Sequence, residues 1–312
     1  MTRDRTWLVA LAACLWGSSA LLREPLAGAV DASTIVLYEH AVILLALSPW
    51  LLPALRAWGA APPRVRAAAV IIGAGSSALA TTLFTAAFAY GDPVTPQVLQ
   101  KLQPLVALVL AAALLGERLR PRFALFALPA LVGAWLLSFD SPLAVTVSDL
   151  QPAALALGAA TLWAAGTVLG RLVGSEIGPR DTLVLRFAFG LPAAAVIVSV
   201  LGAQWRIPMD QAPSLVMLAL IPGLLALGLY YLGLQRTAAS RATVAELMFP
   251  VTAAVVGVTM LDATLAPSRW LGLAVVVVSI TALALHENRA SATSVRIDPD
   301  QIGRYGRVTS TR

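Results

Sequence analysis

Residues 96–122 read PQVLQKLQPLVALVLAAALLGERLRPR, and residues 242–268 read ATVAELMFPVTAAVVGVTMLDATLAPS. Laid over one another at an offset of 146, they bring Val98 onto Val244, Pro104 onto Pro250, Leu119 onto Leu265 and Pro121 onto Pro267. The match runs without a gap from Leu83 to Trp135 against Leu229 to Thr281. Upstream, Leu15-Trp16 meets Leu162-Trp163, and Thr34 within Ser33–Leu37 meets Thr182 within Asp181–Leu185. A chain that repeats itself at so long a period is built from two like units.

Composition says what the units are. Of 312 residues, 59% are hydrophobic and 12% charged, against about 25% charged in soluble proteins. With a mean hydropathy of +0.81, the chain holds more apolar surface than one soluble core can hide. This excludes an ordinary cytosolic enzyme and implies a polytopic membrane protein. The lone Cys14 excludes an internal disulfide framework, and with only His40 and His286 no cysteine- or histidine-rich metal site is expected.

A membrane-crossing helix needs about 20 mostly apolar residues. Ten runs qualify, approximately Trp7–Leu22, Thr34–Leu52, Ala67–Tyr90, Pro96–Gly116, Phe123–Phe139, Leu150–Gly170, Asp181–Leu201, Ala212–Leu234, Ala242–Leu261 and Arg269–Ala284. They are spans 1 to 10. The first has the basic flank of a signal peptide, but its later counterpart marks it as a span. Each unit therefore holds five spans, and because five is odd the second unit enters the bilayer from the opposite side. Inverted repeats of this kind recur in secondary transporters, where two pseudo-symmetric halves exchange conformations.

Orientation follows from the basic residues, which concentrate in cytoplasmic loops. With both termini cytoplasmic, inside segments hold 17 of the 22 Lys and Arg residues, while outside loops hold Arg23, Arg206 and Arg269. The net charge of +6 is thus a topology signal, and no basic cluster joins a nucleic-acid-binding fold. Residues 286–312 are polar and aperiodic and read as a disordered cytoplasmic tail after repeats at 7–139 and 150–285.

The duplicated five-span unit, the opening Leu15-Trp16-Gly17-Ser18-Ser19, and the run Leu102-Gln103-Pro104-Leu105 leading to Leu114-Leu115-Gly116-Glu117-Arg118-Leu119 resemble the drug/metabolite transporter superfamily, in particular its EamA-type members. The resemblance covers roughly residues 7 to 285. It implies an all-α bundle of ten transmembrane helices in the inner (plasma) membrane, with spans 1–4 of each half around a central cavity and the fifth and tenth peripheral. It also implies export of small organic solutes without a cofactor. In the second copy Asp262-Ala263 stands where the first has Gly116-Glu117, so no loop glutamate is carried to that half.

Ionisable groups inside a bilayer need a partner, a wet cavity or an interfacial position. Glu39 and His40 fall in span 2, Lys101 in span 4, Arg186 in span 7 and Glu246 in span 9. Glu39 and Lys101 lie near the outer side, and Arg186 and Glu246 near the inner one. Two readings are open: each pair is a gate made and broken as access alternates, or each is a static contact. Glu39, His40 and Glu246 are also candidates for proton coupling.

In span 4, Gln97, Gln100, Lys101 and Pro104 share one helix face, and Thr243, Glu246 and Pro250 repeat it in span 9. Each proline cannot donate to the carbonyl four residues back, that of Gln100 or Glu246, which leaves an acceptor beside the polar side chain. These faces are the expected solute-lining surfaces, with Trp16 and Trp163 as candidate walls. Ser77, Thr81 and Thr85 on span 3, and Tyr230 and Tyr231 on span 8, can bond solute or bridge helices.

Gly73-Ala74-Gly75-Ser76-Ser77-Ala78 matches a dinucleotide fingerprint but lies in an apolar run too long for a strand, so close helix packing is expected there. No motif of an enzyme or an ATPase is present. The leading expectation is secondary transport of small organic solutes, such as amino acids, metabolites or drugs, by alternating access. The alternative is a membrane-embedded binding or assembly protein. Balanced cavity charges would suit a zwitterion; charges paired to one another would leave a mainly neutral, aromatic-lined site. Beyond solute and lipid the sequence names no partner, and it sets no oligomeric state.

Overall fold

The computed structural model describes residues 5–90, 93–103, 105–106, 109, 123–139, 142–143, 147–234, 245–246 and 248–294. Among these the backbone is helical, with no strand. Among the described residues five helices are long and apolar enough to cross a bilayer: Thr6–Ala29, Pro63–Phe88, Leu150–Ile177, Pro179–Leu201 and Ala212–Tyr230, which are spans 1, 3, 6, 7 and 8. Span 2 is the pair Ala32–Ala46 and Ser48–Ala60, bent by 68° where Pro49 removes a backbone donor. Span 4 opens with Val94–Leu99, and shorter apolar helices, Leu125–Leu137, Met248–Met260 and Pro267–Ala282, occupy spans 5, 9 and 10.

Two boundaries depart from the sequence reading. Span 1 continues past Leu22 to Ala29, with Arg23 buried inside it rather than in an outer loop. An ion pair described below makes that burial tolerable. The last helix runs from Pro267 through Ser294, so residues 286–294 are helical rather than part of a disordered tail.

Contacts between connections establish how the crossings alternate. Gln204 N–H donates to Asp31 Oδ2 at 2.9 Å, Thr34 Oγ1 to the Gln204 carbonyl at 2.6 Å and Tyr38 OH to that of Trp205 at 3.0 Å, which ties connection 1–2 to connection 7–8. Arg269, at the start of span 10, donates to the Leu137 carbonyl at 3.0 Å and to Thr95 Oγ1 at 2.7 Å, joining connections 3–4, 5–6 and 9–10. At the other end Arg64 approaches Glu176 at 3.9 Å, joining connections 2–3 and 6–7. Among the described residues, odd connections thus meet odd ones and an even one meets an even one, which fits alternating crossings. The first connection of unit one meets the second of unit two, so the units are inverted.

Glycines set the closest helix approaches. A Cβ on Gly73 would lie 2.6 Å from Phe189 Cβ, and one on Gly190 2.5 Å from His40 Cδ2, so spans 2, 3 and 7 meet almost backbone to backbone. The Gly73–Ala78 stretch is therefore helical and packed, not a nucleotide loop. Spans 5 and 10 pack in the same manner, with a Cβ on Gly272 falling 2.5 Å from Leu137 N.

Both units break their helices at matching places. Span 3 carries a π-helical segment at Ile72–Leu79, and span 8 carries one at Ala219–Leu225. Span 4 tightens to a 3₁₀ turn at Gln100–Leu102, and the chain turns at Glu246 just before span 9 resumes. Wider and tighter turns both redirect hydrogen bonds, and such breaks concentrate at functional positions.

Candidate solute site

The breaks bring aromatic side chains of the two halves together. Trp16 of span 1 packs on Tyr230 of span 8, ring centroids 5.1 Å apart, and Trp163 of span 6 packs on Phe84 of span 3 at 5.2 Å. Trp16 and Trp163 are repeat counterparts, and so are Phe84 and Tyr230 at the offset of 146. Each pair thus takes one member from each half. Trp16 also donates its indole N–H to the Pro222 carbonyl at 2.9 Å, inside the π-helical segment of span 8. The symmetric contact runs from Ser76 Oγ, in the π segment of span 3, to the Leu162 carbonyl at 2.6 Å.

The charges do not pair as the sequence suggested. Glu39 meets Arg23 rather than Lys101: Arg23 Nη2 donates to Oε1 at 2.8 Å and Nη1 to Oε2 at 3.1 Å, with both side chains buried. Thr85 Oγ1 accepts a further bond from Arg23, and the guanidinium lies 5.7 Å from the Phe84 ring centroid. The expected partnership failed because Arg23 had been taken as the end of an apolar run. A bidentate pair neutralises it within the helix.

Arg186 reaches from span 7 to span 3. It donates to the Ser76 carbonyl at 3.1 Å and to Ser77 Oγ at 3.2 Å, on the π segment of span 3. His40 completes this network, with Nδ1 2.8 Å from the Val36 carbonyl and Nε2 2.8 Å from Ser77 Oγ. A carbonyl only accepts, so Nδ1 carries a proton and donates to Val36; Nε2 and Ser77 Oγ share the second bond, and Arg186 donates to Ser77. Both ring nitrogens are thereby engaged, and His40 bridges its own helix to span 3.

Glu246 accepts a 2.6 Å hydrogen bond from Tyr230 OH. The Lys101 ammonium sits 4.1 Å from the Phe249 ring centroid and within electrostatic reach of Glu246. Among the described residues Lys101 makes no salt bridge. Span 4 and span 9 therefore face each other across the halves with a cation, a ring and an acid. On the same stretch of span 4, Gln103 donates to Thr167 Oγ1 of span 6 at 3.1 Å.

The proline-released carbonyls are also not free. Gln103 N–H donates to the Gln100 carbonyl, and Phe249 N–H donates to that of Glu246 at 3.1 Å. In each half the residue before the proline closes a three-residue turn, so the break is self-satisfied and offers solute no bare acceptor. Pro250 is buried at the start of span 9, and Gln97 is fully buried with its amide donating to the Pro93 carbonyl at 3.1 Å. Pro104 and Thr243 lie outside the described residues.

Sequence reasoning passed over Arg23, Phe84 and Phe249. Phe84 could have been found, since it aligns with Tyr230, and the two tryptophans were already paired. Arg23 carried no such signal, because its partner is one span away.

An all-helical membrane protein of two inverted units, broken where spans 3, 4, 8 and 9 meet, has the construction of a secondary transporter. Residues 6–139 and 151–285 match the EamA-like transporter family, and the chain belongs to it. It is 32% identical over 187 residues to the riboflavin transporter ImpX of Fusobacterium nucleatum subsp. nucleatum, covering 58% of this chain and 62% of that protein. It is 28% identical over 181 residues to the uncharacterized transporter YwfM of Bacillus subtilis, covering 58% and 60%. In each case the match spans less than two thirds of the relative. A crystal structure of a protein with 19% sequence identity superposes with a TM-score of 0.61 over 93% of this chain and 99% of that one, which shows the shared fold.

Proposed function

We propose that this membrane transporter moves small aromatic organic solutes by alternating access between the Trp16–Tyr230 and Trp163–Phe84 walls. The observation that carries this reading is that both aromatic pairs are built across the halves, so any movement of one half against the other reshapes them together. The Arg23–Glu39 pairing supports an aromatic-lined site over one for a zwitterion, because those two charges already answer each other and offer none to a solute. A relative named as a riboflavin transporter, whose solute carries a flat aromatic ring system, supports the same class.

Export, the inner membrane and cytoplasmic termini complete the reading; they rest on the arginine distribution and the family's habit. Alternating access requires no catalysis and no cofactor, and a gradient drives the cycle. The test is solute counterflow in proteoliposomes, with riboflavin as the first solute. Trp16→Ala and Trp163→Ala should each lower counterflow about tenfold or more while the protein still purifies as a folded species. Uptake no greater than in protein-free liposomes would instead favour a binding or assembly protein.

A further inference from the structure

The Lys101–Glu246 neighbourhood is built differently from the other charged clusters. Arg23 has a bidentate carboxylate, and Arg186 has a carbonyl and a hydroxyl. Among the described residues Lys101 has only the face of Phe249 and the field of Glu246, whose carboxylate is turned to Tyr230. It is a cation with its three donors uncommitted to any acid among the described residues, placed on the broken stretch of span 4.

We propose that Lys101 is the recognition group for an anionic substituent on the aromatic solute, and that the anion displaces Glu246 as the counter-charge of Lys101, so that Glu246 takes up one proton for each anion bound. The inference rests on the aromatic-site reading above and adds to it a substrate class, aromatic monoanions, and a coupling residue. The step balances: one proton leaves a buffer acid, whose bond to it breaks and whose conjugate base stays in solution, and joins one Glu246 oxygen, so the anion and the proton together add no net charge to the site. The reason is electrostatic. Two carboxylates beside one ammonium in a medium of low dielectric repel each other strongly, and protonating one of them removes that cost.

Among the described residues, the charged and titratable groups on elements packed against span 9 are few. Span 4 brings Lys101, span 8 brings Tyr230, and span 1 brings Cys14, Arg23 and Glu24. Arg23 is committed to Glu39, and Tyr230 already donates to Glu246. Lys101 and Glu246 are therefore left to exchange partners. Glu39 and His40, the other coupling candidates, are held by Arg23 and by the Ser77–Val36 bridge.

The test is calorimetric binding to the purified full-length protein at pH 7, in buffers of different ionisation enthalpy. The probes are 4-hydroxybenzoate and its neutral isostere 4-hydroxybenzamide. The dependence of the heat on buffer gives protons taken up per ligand. Wild type should take up about one proton with the benzoate and none with the benzamide. Glu246→Gln should bind the benzoate with no proton uptake. Lys101→Gln should bind it about tenfold or more weakly while keeping its affinity for the benzamide, which shows the variant is folded. Benzoate binding by wild type without proton uptake, or equal benzoate affinity in Lys101→Gln, overturns the inference while leaving the aromatic site standing. Failure of both probes to bind wild type counts against the aromatic site itself and removes the inference with it.

Discussion

Replacing Glu39 with Gln keeps the shape of the side chain and removes its charge, leaving the Arg23 guanidinium buried beside a neutral amide. The structure gives the scale of the loss. Two charge-assisted hydrogen bonds, at 2.8 Å and 3.1 Å, are weakened or lost, each worth about 1.5–3 kcal/mol. Both side chains are under one tenth exposed, at 8% and 7%, so water does not screen the pair. Breaking a buried pair from one side costs about 3–5 kcal/mol, because the other charge stays behind. At the lower end of about 2–4 °C per kcal/mol, appropriate to a large chain, the midpoint of thermal unfolding in detergent should fall by about 6–10 °C. Removing both charges with Arg23→Met and Glu39→Leu should recover most of that fall, since matched apolar residues often replace a buried pair at little cost. The assay is the thermal loss of monodisperse protein on size exclusion, run on the two single variants and the double. A Glu39→Gln midpoint within about 2 °C of wild type, or a double variant no better than the sum of its singles, would refute the reasoning. The reversal Glu39→Lys with Lys101→Glu should restore nothing, because those residues are not partners in this arrangement.

Tyr230→Phe removes the hydroxyl that holds Glu246 and should cost about 1.5–3 kcal/mol of local stability, seen as faster backbone hydrogen exchange at the start of span 9. Gly190→Ala would place a methyl 2.5 Å from the His40 ring, and overpacking of about 1–3 kcal/mol should lower the unfolding midpoint; an unchanged midpoint would mean spans 2, 3 and 7 are looser than described. Arg269→Met should loosen the end of the bundle where Thr95 and Leu137 meet, raising protease sensitivity of connection 5–6. A single cysteine at Arg64, in a Cys14→Ala background, should resist a membrane-impermeant maleimide in intact cells and react in everted vesicles; labelling in intact cells would reverse the orientation.

Much of the architecture was legible because it depends on quantities that a sequence states directly. Length and apolarity of a run decide whether a helix crosses, and the repeat of Pro104 in Pro250 placed the breaks in spans 4 and 9. Orientation of one unit against the other followed from counting. What stayed hidden depends on neighbours in space. Arg23 looked like the close of span 1, since a lone arginine is costly in a membrane, and only Glu39 on the next helix changes that sum. The π-helical segments have no compositional mark; Ile72–Leu79 and Ala219–Leu225 share position but scarcely any residues. The acceptors released by the prolines were expected correctly, but the backbone claims them itself through Gln103 and Phe249.

The two π-helical segments act as a change of phase. Bonding to the fifth residue encloses one more residue in each hydrogen-bonded ring than an α-helix does, and each residue of an α-helix turns the chain by about 100°. Everything after such a segment is rotated about the helix axis relative to where an unbroken α-helix would have put it. Phe84 and Tyr230 both lie just after one, so their facing toward Trp163 and Trp16 is set several residues upstream. Deleting one residue from either segment, Ala74 for example, would let the helix close regularly and turn its aromatic residue away from the seam. The aromatic contact across the halves would then be lost without any change to the residues that form it.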